Sequence, residues 1–181
     1  MTIRPVLRLG DPHLRQPAQP VPNDWFGREA LTELIVDLRE TMQALQGAGL
    51  AAPQIGVPLR VVIAEVQHNP RYPQAEPFAE MVLINPQISP LGEEREAGWE
   101  GCLSVPGLRG QVERWQRIQL HWHDANGQAH SETVQGFKAR VLQHECDHLD
   151  GLLFPDRLHD PTAFGFTPEL EAAGLIPAVP G

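Results

Sequence analysis

The segment QHECDHLDG (143–151) carries His144, Glu145 and His148 in the pattern H-E-x-x-H. On a helix, positions i and i+4 lie on one face a turn apart, so two imidazoles can reach the same ion. Glu145 lies beside the first of them, where it could exchange protons with a water activated by that ion. With 8 His in 181 residues, chance placement would give this pattern only about 0.03 times per chain, so a metal site is the stronger reading. Leu142, Cys146 and Leu149 are expected on the core side of the helix, with the histidines on the other side.

A hydrolytic metal needs a third protein ligand and one open position. One protease pattern continues to a third histidine, but this chain has Phe154 there. Another uses a downstream glutamate; Glu169 and Glu171 are present, but Pro155, Pro161 and Pro168 interrupt the helix that would present one of them. The remaining soft donor is Cys102 in EGCLSVPG (100–107). Residue type alone leaves Cys102 open between a ligand and a small buried apolar side chain, which is the plain reading of Cys146.

Elements that could position these groups can be read from periodicity. Asp11-Pro12 opens a short helical turn. Leu31, Leu34, Ile35, Leu38, Met42 and Leu45 recur at helical spacing, predicting one buried face on a helix over 24–45 that ends at Gly47 and Gly49. LRVVIAEV (59–66) and MVLINP (81–86) predict buried strands, with a surface loop over 68–77 between them. Ile118, Leu120 and Trp122 alternate with polar residues, and Asn126-Gly127 predicts a hairpin into a strand near 130–134. A second helix is expected over 137–149, capped by Gly151. The order predicts an α+β fold in a single domain over 1–181, with an irregular tail from about 161.

Composition narrows the function classes. The formal charge of -9, from Lys+Arg 14 against Asp+Glu 23, argues against broad nucleic-acid binding. Two cysteines cannot form a disulfide framework, the first residues lack the apolar stretch of a signal peptide, and no apolar run is long enough to span a membrane. A cytoplasmic location is the expectation. Pro 18 and Gly 16 predict many turns and short elements.

Three segments together resemble the motifs of the peptide deformylase family: GAGLAAPQIG (47–56), EGCLSVPG (100–107) and QHECDHLDG (143–151). Order and spacing agree, and the resemblance runs from about Leu7 to Pro155; it implies a catalytic domain of the α+β class with mixed, mostly antiparallel sheets packed around the central helix that carries the motif. The GW preceding EGCLSVPGLRG is similar to the organellar-like branch. The resemblance implies that Cys102, His144 and His148 bind the ion, usually Fe²⁺, with Zn²⁺, Ni²⁺ or Co²⁺ able to substitute. Glu145 is then general base and acid, while Gln54 and the backbone N–H of Leu103 stabilise the oxyanion as hydroxide attacks the formyl carbon. Gly49 and Gly101 border the substrate, although Gln54 alone reads as a surface glutamine and Gly49 as a helix terminator. The implied substrate is the N-formylmethionyl end of a nascent chain, split into formate and a free amine, with an apolar pocket for the methionine side chain. Proximity to the ribosome would be transient, because 161–181 carry no Lys or Arg, and members of that branch can form homodimers. The rival readings are another H-E-x-x-H metallopeptidase and an inactive homologue that binds formylated chains. Ser104 and Arg109 receive no catalytic role, and hydroxyl bonding and a surface ion pair account for them.

Overall fold

A computed structural model describes residues 3–67 and 75–177, so most of the loop expected over 68–77 lies outside the described residues. The first helix, α1, spans Glu29–Ala44 and buries Leu31, Leu34, Ile35, Leu38 and Met42. It starts later than expected because Asn23–Trp25 forms a separate 3-10 turn, and Gly27 then turns left-handed at φ 74°. Its far end also comes early. Gln46 adopts φ 52°, and Leu45 is therefore turned outward and exposed.

Five strands form one sheet in the order β1-β2-β3-β6-β7. They are β1 (Gly49–Ala51), β2 (Val61–Val66), β3 (Phe78–Pro90), β6 (Arg117–His123) and β7 (Ala129–Gln135). β2 shows why a run such as VVIAEV must lie inside. Its side chains alternate between two faces: Val61 and Ile63 join the α1 core, while Val62 and Ala64 join Leu142 and Leu149 of the motif helix. That helix, α2, spans Gly136–Leu149.

The second sheet is a hairpin of β4 (Arg95–Cys102) and β5 (Val105–Trp115), with β8 (Phe164–Phe166) beside β5. Every pairing of these strands is antiparallel, and the parallel component expected of a mixed sheet reduces to the isolated bridge Gln19–Leu59. α2 is thus enclosed: the large sheet covers one side and the β4–β5 hairpin approaches from the other. His144, Glu145 and His148 are consequently buried rather than turned away from the core, and Cys146 is only partly buried.

The tail expected to be irregular from about 161 contains β8 and a short helix, α3 (Thr167–Ala172). Phe164 packs its ring against Phe154 at 6.1 Å, Leu170 is buried, and Pro168 occupies the first turn of α3, where proline is favoured rather than disruptive. Among the described residues no helix is long and apolar enough to cross a membrane.

Gly151 follows α2 at φ 74°, and a Cβ there would stand 2.5 Å from the Arg15 carbonyl oxygen. Backbone strain and the clash combine in Gly151→Ala, which is expected to cost about 2–4 kcal/mol. A lower urea midpoint at unchanged slope would show this; a midpoint equal to that of the parent would contradict it.

Candidate metal centre

Cys102 ends β4, and His144 and His148 stand one turn apart on α2. One ligand atom from each of the three lies within 4.8 Å of the others. Cys102 Sγ is 3.4 Å from His148 Nε2. His144 Nδ1 lies 2.9 Å from Glu100 Oε2, so Nδ1–H donates to the carboxylate and Nε2 is left as the donor toward an ion. The Nδ1 atom of His148 is buried with no partner among the described residues. A thiolate with two imidazoles suits a borderline or soft divalent cation, and the donor set fits a metal on these grounds.

Glu100 reaches the helix because it sits two residues before Cys102 on the same strand. Arg114 of β5 grips it in a two-point ion pair, Nε–Oε1 2.9 Å and Nη2–Oε2 3.0 Å. The same guanidinium reaches Asp147 Oδ2 of α2 at 2.5 Å, and Arg157 donates to both oxygens of Asp147, to Oδ2 at 3.1 Å and to Oδ1 at 2.6 Å. Arg140 adds a bond to Glu100 Oε1 at 3.0 Å. Burial acts to raise the Glu100 carboxyl, but hydrogen bonds from His144 and Arg114 outweigh it and hold the group well below the usual carboxylate range. Without a metal, burial opposes the charge on His144, yet Cys102 and Glu100 together raise its pKa, while burial lowers that of His148.

Glu145 is buried, and its Oε2 has no partner among the described residues. Burial pushes its carboxyl up to about 7. Gly49 makes room for it, since a Cβ there would lie 2.5 Å from Glu145 Oε1. The glycine expected to border substrate therefore first accommodates the carboxylate.

Gln54 is 2% exposed, not a surface residue. Its Oε1 accepts from Ala51 N–H at 2.9 Å, and its Nε2 donates to Ser104 Oγ at 3.1 Å and toward Cys102 Sγ at 3.6 Å. Gly101 and Leu103 line the same cavity with Gly49 and Gln54. The structure thus brings Gly49, Gln54, Gly101, Leu103 and Glu145 together with Cys102, His144 and His148. Phe154, standing where one protease pattern has its third histidine, instead stacks on the His144 ring at 6.3 Å.

Sequence reasoning missed Glu100, Arg114, Asp147 and Arg157, while Ser104 bonds through its hydroxyl as expected, from a buried position. The available signal was the two-residue spacing from Glu100 to Cys102, which places both on one face of a strand. Arg109 is buried rather than on the surface. Outside the centre, His13 pairs with Asp11 and His130 with Asp124.

The profile of the polypeptide deformylase family matches residues 3–163. The chain is 54% identical to peptide deformylase 1 of Prochlorococcus marinus over 97% of this chain and 91% of that one. It is 55% identical to peptide deformylase 1 of Nitrosomonas europaea, covering 93% and 94%. A class I type b peptide deformylase of Acinetobacter baumannii, solved with Met-Ala-Ser bound, superposes with TM-score 0.84 at 39% identity, over 87% of this chain and 99% of that one. The Thermotoga maritima peptide deformylase gives TM-score 0.78 at 35% identity, over 88% and 100%.

Because Glu100 is held ionised, its contribution to stability is present above the unfolded carboxylate pKa of about 4.5 and is lost as pH falls below it. Glu100→Gln is expected to lower stability near neutral pH by about 3–5 kcal/mol, since it leaves buried guanidinium charge unbalanced. It should also flatten the loss of stability below about pH 4.5. Urea midpoints measured across pH check both effects, and parallel curves for the two proteins would contradict the assignment.

Proposed function

The chain belongs to the polypeptide deformylase family, and we propose that its reaction, hydrolysis of the formyl group from N-formylmethionyl polypeptides, runs on Cys102, His144, His148, Glu145, Gln54 and Leu103, with Ser104, Gly49 and Gly101 in support. Cys102, His144 and His148 would hold a divalent cation, which when bound supplies Lewis acidity toward the water and the formyl oxygen. Glu145 takes a proton from the attacking water and passes it to the departing amine, so that one water and one formamide give formate and a free amine. A carboxyl pushed up to about 7 by burial is suited to both halves of that transfer near neutral pH. Gln54 Nε2 donates to the oxyanion that develops on the formyl carbon's oxygen, together with the backbone N–H of Leu103. Ser104 Oγ holds that amide in place at 3.1 Å, and Gly49 and Gly101 keep the rim of the site low enough for the substrate backbone.

The observation that carries this reading is the convergence of three ligand atoms within 4.8 Å beside a buried carboxylate with an unpartnered oxygen. The alternative of an endopeptidase with a third histidine is disfavoured by the seat of Phe154. Fe²⁺ is the ion we assign, with Zn²⁺, Ni²⁺ or Co²⁺ able to occupy the same donors. The formal charge of -9 favours transient proximity to the ribosome over contact with nucleic acid, within the cytoplasm. A homodimer is compatible with the organellar-like features of the motifs.

Formate release from formyl-Met-Ala-Ser by metal-analysed protein tests the reading. Activity in the parent and none in Cys102→Ala is expected; no formate from protein carrying one metal per chain would overturn it. Glu145→Gln should keep its metal while kcat falls by about 10³-fold. Loss of bound metal in that variant would contradict the proton-transfer role.

A further inference from the structure

The N-terminal segment is tied to the site at two points. Leu7 N–H donates to the Gln54 carbonyl at 2.8 Å, and Leu9 N–H donates to the Ser104 carbonyl at 2.7 Å. Gln54 stands on the 3-10 turn Ala52–Ile55, which follows β1 of the large sheet. Ser104 stands in the turn between β4 and β5 of the second sheet. No ladder joins the two sheets among the described residues, so a short backbone strap bridges two otherwise separate halves of the site. The strap is itself anchored. Arg4 N–H donates to the buried Thr41 hydroxyl of α1 at 2.9 Å. Val6 and Leu103 both pack on the cluster containing Leu50 and Ile55, and Leu7 packs on the one containing Cys102 and Val105.

Ser104 carries the connection inward. Its hydroxyl accepts from Gln54 Nε2 at 3.1 Å. That bond engages one of the two amide hydrogens, and the same nitrogen lies 3.6 Å from Cys102 Sγ, beside the ligand cluster. Resting on the reading of Gln54 and Leu103 as oxyanion donors, we propose that Leu7 and Leu9 are positioning residues for the reaction: their backbone N–H groups fix the separation between the Gln54 amide and the Leu103 N–H. Donors stabilise an oxyanion without reorganisation only if they already stand about 3 Å from where the charge develops. The strap acts at that moment and not on the bound substrate, so it contributes to kcat rather than to KM.

Replacing single backbone amides by esters tests this, because an ester lacks the N–H but keeps the side chain. The α-hydroxy acid counterpart is introduced by nonsense suppression at Leu7, at Leu9, or as a control at Arg8, whose N–H makes no hydrogen bond among the described residues. Each full-length, metal-loaded protein is assayed for formate release from formyl-Met-Ala-Ser, with metal content and urea midpoint measured alongside. The esters at Leu7 and Leu9 are each expected to lower kcat about 10-fold, with KM within about 2-fold of the parent and metal content unchanged. The ester at Arg8 should match the parent. In a Gln54→Ala background the ester at Leu7 should lower kcat no further, because its effect passes through the Gln54 side chain, whereas general destabilisation would multiply. A parental kcat in either strap ester, or multiplication in that background, would overturn the proposal. If the esters do not fold, amide exchange in the parent decides. Leu7 and Leu9 N–H exchanging at least about 100-fold more slowly than Arg8 N–H supports the strap, and exchange as fast as that of Arg8 overturns it. No formate from the parent would instead defeat the deformylase reading.

Discussion

The buried carboxylate of Glu100 is the constraint around which the rest of this structure is arranged. It lies between the Arg114 guanidinium and the Nδ1 atom of His144, joining the β4–β5 hairpin to α2. A carboxylate withdrawn from water costs several kcal/mol unless it is paired and its lone pairs are satisfied. Here both oxygens are engaged, and Arg114 passes the connection on to Asp147, one residue before His148. The same contacts that offset desolvation therefore set the rotation of α2 relative to the strand bearing Cys102. Three ligand atoms from two separate elements can meet only if that rotation is held.

The remaining elements serve this arrangement by enclosing it. β2 feeds alternate side chains to α1 and to α2, so the large sheet is buried on both faces and gives the motif helix a rigid floor. Gly49, at the edge of that sheet, leaves the space into which Glu145 points. Gln54 follows on a 3-10 turn whose cap its own side chain makes. The chemistry is thus assembled from three directions: α2 brings the imidazoles and the proton carrier, β4 brings the thiol, and the turn after β1 brings the amide.

How much of this was legible in the sequence depended on whether a side chain's polarity matched its surroundings. α1, β2, β6 and the Asn126-Gly127 hairpin follow hydrophobic periodicity, and they are where that periodicity places them. The spacing of His144 and His148 disclosed the metal motif, whereas Cys102 needed the family resemblance to become a ligand. The β4–β5 hairpin was hidden because its inward positions include Glu100 and Arg114, which any hydropathy pattern assigns to solvent. Gln54 misled for the same reason, since a buried glutamine looks like a surface one until its partners are known. At the tail, prolines read as breaks, but Pro168 begins α3, and β8 finds its partner in β5 at long range, which no local signal reports.

If the ionic clamp is what presets the metal centre, weakening it at a distance must weaken metal binding. The most direct measurement is the affinity of the metal-free protein for Co²⁺, by chelator competition, in the parent and in Arg114→Met, with folding verified by near-ultraviolet circular dichroism. Arg114 touches none of the three proposed ligands in its hydrogen bonds, only Glu100 and Asp147. Affinity about 10–100-fold weaker in the folded variant is predicted, as for loss of groups that orient a ligating histidine. Equal affinity in the two proteins would mean that His144 and Cys102 find their places without the clamp, and would contradict this account.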